Sequence, residues 1–210
     1  MKFQRLHPWA VLPEQRAADI DAAKERERLY RENFQYLRAA RQPEFCAPWV
    51  LGQRIGWRIL SPVDVTVTPL PQVEISGDDS AAAAAAVGKQ EVWLRSGTGL
   101  AMDRPPWLHL YRFRDGEGWG NMFVPNGQGT VEWRLGWSPD DYQPLSIMVF
   151  PSEEVPDLGV LVGVLTPASL ERMQPTGFSV AFRPRTEVSI ARGQEIARAV
   201  LVGPESMRAS

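Results

Sequence analysis

The chain has 210 residues, a formal net charge of −2 and a charged fraction of 23%, which excludes wholesale disorder and offers no global field to draw in nucleic acid or an anionic membrane. Its single cysteine, Cys46, excludes an intramolecular disulfide, so core packing alone must hold the fold. No apolar run reaches the roughly 18 residues of a membrane span, and residues 1–9 hold no stretch suited to a signal peptide, so a cytoplasmic protein is expected.

From 13 to about 41 there is no Pro or Gly inside the segment, and Ala, Glu, Arg and Gln dominate. Ile20, Ala23, Tyr30, Phe34 and Leu37 recur at helical spacing, which predicts one long helix with a narrow apolar stripe. Pro13 and Glu14 suit its first turn, Arg38 and Arg41 its last, and Pro43 stops it. The charges between Lys24 and Arg28 read as a solvated face carrying intrahelical ion pairs. The stripe is expected to pack on the rest of the chain, with docking to a partner subunit as the alternative.

Downstream the pattern changes to period two. Val63, Val65 and Val67 alternate with polar residues, and Trp107, His109, Tyr111 and Phe113 are read as one face of a strand. Val131, Trp133, Leu135 and Trp137 form another face; 145–150 and 160–165 are apolar runs expected of central strands. Further strands are read around Phe178 to Phe182 and Val188 to Ile190, and over 196–202, with Gly193 in the turn between the last two. Residues 76–90, with six consecutive alanines, read as a surface insertion rather than as a short helix capped by Asp79 or Ser80. The expected architecture is mainly β with an N-terminal helix: an antiparallel β-sandwich or barrel over 44–210, flanked by one long α-helix in an N-terminal segment 1–43.

Motifs for chemistry are scarce. There is no phosphate-cradling glycine loop, no dinucleotide fingerprint and no nucleophile elbow, and Cys46 lacks a neighbouring Cys or His, so it is expected to be a buried small hydrophobe. No cofactor and no metal is expected. Tryptophan is the departure from ordinary composition: there are eight, and several adjoin polar donors, as in Trp57-Arg58, Trp133-Arg134 and Trp119-Gly120-Asn121. Aromatic area beside donors suits a ligand site. Trp119 lies in a Gly-rich stretch, 115–121, with no evident local core to enter, so Trp119, Asn121 and His109 are chosen as one wall of a pocket, with Arg112 at its rim.

The segment 45–64 reads Phe-Cys-Ala-Pro-Trp-Val-Leu-Gly-Gln-Arg-Ile-Gly-Trp-Arg-Ile-Leu-Ser-Pro-Val-Asp. It resembles a block of an uncharacterised bacterial family, with Cys-x-Pro, a short run, Gly-Trp and an extended strand. That family closes on a Phe-rich strand, a turn and an Arg-Gly-x-x-Ile strand, which 178–182 and 191–197 resemble. The likeness covers about a third of the chain; the central block and the N-terminal helix depart from it. It implies a β-rich domain and no catalytic residue. The functional expectation is therefore an accessory or ligand-binding protein, non-catalytic, with an aromatic-lined pocket. Rival readings are a small enzyme of specialised or nucleotide metabolism, sited around His109, Arg112 and Trp119, and an assembly component docking through the helix. A small molecule or protein partner is expected, with no nucleic acid and no membrane; a homo-oligomer is compatible with the sequence.

Overall fold

Short alternating segments separated by turns become strands, and the computed structural model describes residues 1–16, 18–35, 42–76 and 79–207. In chain order the strands are β1 (Lys2–Arg5), β2 (Trp57–Leu60), β3 (Val65–Val67), β4 (Gln72–Ile75), β5 (Glu91–Arg95), β6 (Thr98–Met102), β7 (Arg112–Asp115) and β8 (Gly118–Asn121). They continue as β9 (Phe123–Gly127), β10 (Thr130–Arg134), β11 (Trp137–Asp140), β12 (Ser146–Pro151), β13 (Gly163–Leu165), β14 (Ser179–Phe182), β15 (Val188–Ile190) and β16 (Glu195–Val202). The helices are α1 (Ile20–Asn33), α2 (Ala47–Arg54), α3 (Ser80–Ala86), α4 (Pro106–Leu110) and α5 (Pro167–Met173).

The protein is mainly β, and the strand pairings among the described residues are antiparallel. The largest sheet runs β13-β12-β16-β2; two three-stranded sheets run β14-β10-β9 and β4-β6-β5. Alternation sends Val131 and Trp133 of β10, Val180 and Phe182 of β14, and Ile147 and Val149 of β12 into one hydrophobic cluster shared by the sheets. Trp133, Phe123 and Phe182 meet there with ring centroids 5.0–6.2 Å apart, and Trp137 stacks on Phe178 at 4.4 Å. The aromatic content thus goes largely to packing.

Several expectations are corrected. The N-terminal helix covers Ile20–Asn33, not 13 to 41. Its start is fixed by Asp19, whose side chain accepts from the Ala22 amide at 2.9 Å. Upstream, Glu14 is extended and exchanges backbone hydrogen bonds with Arg58 of β2, which removes Pro13 and Glu14 from any first turn. At the other end Phe34 is already extended; Leu37, Arg38 and Arg41 lie outside the described residues. The apolar stripe packs only at its start: Ala23 is buried and Ile20 half-buried, whereas Tyr30 and Phe34 are exposed. Eight of the fourteen residues of α1 are charged, which leaves too little apolar area for docking.

The 160–165 run is no central strand. β13 lies at the edge of its sheet, and Leu161, Val162 and Val164 are exposed. Residues 106–110 form α4 rather than a strand, because Pro106 occupies the first helical position, where its missing N–H costs nothing. The alanine-rich connection holds α3, capped by Asp79 accepting from the Ala82 amide at 2.9 Å, with Ala84 buried against the neighbouring strands. Cys46 is exposed, just before α2, because the turn at Pro43–Phe45 and α2 lie on the surface with no buried residue. Among the described residues no helix is long and apolar enough to cross a membrane.

Candidate functional site

The four residues chosen from the sequence fall into two places. β7 and β8 form a tight hairpin in which Arg112 faces Asn121 and Arg114 faces Trp119. Directly opposed residues share a face, so Arg112, Arg114, Trp119 and Asn121 stand together on one side. The Arg114 guanidinium lies 4.8 Å from the centroid of the Trp119 ring, and Trp119 is 57% exposed. On the other side Phe113 covers Gly120, where a Cβ would come within 2.8 Å of its ring, and Phe113 packs on His7 and Trp9. His109 is held elsewhere. From α4 its Nε2 meets Glu91 Oε2 at 2.8 Å, and its ring lies 6.0 Å from that of Trp93. Both partners are on β5.

That strand leads to a different and better-built site. Glu91, Trp93 and Arg95 alternate onto the same face of β5, and Arg95 reaches across to β10, its Nη2 donating to Glu132 Oε2 at 2.6 Å. On β10 the residues between the core-facing Val131 and Trp133 point the other way. Glu132 and Arg134, with Ser179 and Ala181 opposite them on β14, make the outer face of that sheet. α5 lies over this face, its start set by Pro167 and by Thr166, whose hydroxyl accepts from the Ser169 amide at 3.3 Å. Between them is a cleft of about 440 Å³, to which α5 contributes Arg172 and Met173, β13 Leu165, and β9 Asn126.

The electrostatics of the cleft are one-sided. Three guanidiniums, of Arg95, Arg134 and Arg172, line it against the single carboxylate of Glu132. Arg95 spends its charge on Glu132. Arg134 does not: its Nε is buried without a hydrogen-bond partner, and its ion pair with Glu132 Oε1 is stretched to 3.7 Å. Its side chain is only 20% exposed, so water does little to offset the missing partners. Arg172 makes one long contact, 3.4 Å to Ser169 Oγ. An arginine offers five donors in a rigid fork, and two such forks are left here largely unused among the described residues. None of His109, Trp119, Asn121 and Arg112 lines this cleft.

A second charged cluster was equally hidden in the sequence. A bulge in β16 opposite β2 turns Glu195 inward, where it is fully buried. Burial by itself would raise its pKa, but hydrogen bonds from Arg198, Arg58 and Ser152 outweigh that and hold the carboxyl below its usual range. Arg58 Nε donates to Oε2 at 2.7 Å, while Arg198 Nε and Ser152 Oγ donate to Oε1 at 2.9 and 2.8 Å. Arg58 also reaches Glu14 at 2.8 Å and Arg198 reaches Gln53 at 3.0 Å, so this cluster is satisfied internally and clasps the N-terminal segment to the main sheet. The contrast with Arg134 distinguishes a structural cluster from a candidate site.

Among the described residues no three His, Cys, Asp or Glu side chains gather as a metal-ligand set. Comparison of the chain with family models, with curated proteins and with solved structures finds no match. The residues that sequence reasoning missed are Arg95, Glu132 and Arg172. Arg134 was visible only as the neighbour of Trp133, and neighbours on a strand face opposite ways.

Proposed function

We propose that this chain is a non-catalytic ligand-binding protein whose ligand is a small anion held in the cleft between α5 and the outer face of β14-β10-β9. The observation that carries the reading is Arg134: a side chain four-fifths covered, with its Nε buried and unpartnered, on the wall of a cavity. Such an arrangement costs free energy in the empty protein and is relieved when a carboxylate or phosphate supplies the missing acceptors. Arg172, on the opposite wall, adds a second fork. Three arginines against one carboxylate, which Arg95 engages through Oε2, support holding and orienting an anion. The cleft is lined by cationic rather than aromatic side chains, while Trp119 stays exposed on the β7-β8 hairpin.

Titration calorimetry with succinate, citrate and inorganic phosphate tests this. The wild type should bind at least one of them, and Arg134→Met, which keeps a flexible apolar stem, should weaken that binding at least about tenfold. The melting temperature of the variant should be unchanged or higher, since an unpartnered covered charge is removed. Absence of binding of these three, and of glutamate and glutarate, by the wild type at about 10 mM, or unaltered binding by Arg134→Met, would contradict the reading.

A further inference from the structure

Resting on the anion-binding reading, we infer that the cleft is built for an acidic α-amino acid, a ligand with two carboxylates and one ammonium. The reason is Glu132. Toward an anion alone, a carboxylate in the lining is repulsive. Glu132 sits between the arginines on the outer face of β10, 18% exposed, with Arg95 bound to Oε2 at 2.6 Å. Its other oxygen, Oε1, accepts no hydrogen bond among the described residues, its nearest cation being Arg134 Nε at 3.7 Å. An ionised carboxylate has about four lone-pair sites, and most of those on Oε1 are unspent.

The cleft therefore presents two kinds of unspent capacity side by side. Arg134 and Arg172 offer donors and two positive charges; Glu132 Oε1 offers an acceptor with negative charge. The complementary ligand carries two anionic groups and one cationic donor in reach of one another. An inorganic or organic phosphate meets the arginines but leaves Glu132 facing like charge, and a simple dicarboxylate does the same. An acidic amino acid meets all three. Leu165 and Met173 supply apolar surface for its methylene carbons.

Titration calorimetry with three matched probes decides the point: L-glutamate, glutarate, which lacks the ammonium, and 4-aminobutyrate, which lacks the α-carboxylate. The wild type should bind glutamate at least about tenfold more tightly than either truncated probe. Glu132→Gln should close the gap between glutamate and glutarate, glutamate weakening and glutarate binding no worse. Glutarate binding as tightly as glutamate in the wild type would overturn the inference while leaving the anion site standing. Failure of the wild type to bind glutamate and glutarate, together with succinate, citrate and phosphate, would overturn both. The wild-type comparison stands even where Glu132→Gln folds poorly.

Discussion

Glu195 is a fully buried carboxylate that stays ionised because two arginines and a serine hydroxyl compensate its lost water. Its folded pKa lies below the ordinary value of 4.5, so its contribution to stability is complete above that value and is lost as pH falls through the folded pKa. Glu195→Gln should destabilise the protein by about 3 kcal/mol at neutral pH, because it leaves two arginines facing a neutral amide. The difference from wild type should shrink as pH falls below 4.5, which denaturant unfolding at a series of pH values would measure. A difference independent of pH would show that the carboxylate is not held ionised by its partners. Nothing in the sequence around Glu195 signals this role. Its partners Arg58 and Ser152 lie 137 and 43 residues away, and only the fold brings them together. Alternation marks Trp133 as core-facing, and the same pleat sends its neighbour Arg134 to the cleft.

At the level of elements, α1 stands on its own ion pairs rather than on packing. Arg28 bridges Glu25 and Glu32, and Arg31 pairs with Glu27, all on the exposed surface. Such pairs contribute only a few tenths of a kcal/mol each. The charged face is therefore legible in the sequence, whereas the stripe is buried at Ala23 and exposed at Tyr30 and Phe34, since period alone does not say how far a face finds a partner. With Phe34 54% exposed, Phe34→Ala should cost less than about 0.5 kcal/mol. Urea denaturation would check this; a loss of about 3 kcal/mol or more would mean that the side chain is buried in a core. The strands were more legible than the helix. Alternation correctly marked Val65, Val67, Val131, Trp133, Val180 and Phe182 as inward-facing, and all are buried. It failed at 106–110, where two prolines start a helical turn, and at 160–165, where an apolar run became an exposed edge. The hairpin of β7 and β8 puts Arg112, Trp119 and Asn121 on one face, whereas His109, expected on the same wall as Trp119 and Asn121, meets Glu91 from α4.

Across the whole molecule the charge is nearly balanced, at −2, and composition gave no sign of a cationic site. The cleft draws Arg95 from one three-stranded sheet, Glu132 and Arg134 from another, and Arg172 from α5. Its lining runs from Arg95 to Ala181, so local pattern could not assemble it. The mainly β architecture was legible because each strand carries its own period; the site was not, because it exists only where the sheets and α5 converge. The central claim is that this convergence holds a small anion. The direct measurement is a crystal structure of the protein grown with glutamate or, failing that, with glutarate. The account predicts ligand density in the cleft with a carboxylate within hydrogen-bond distance of Arg134, roughly 2.7–2.9 Å. A cleft holding only water, with Arg134 closed onto Glu132, would contradict it.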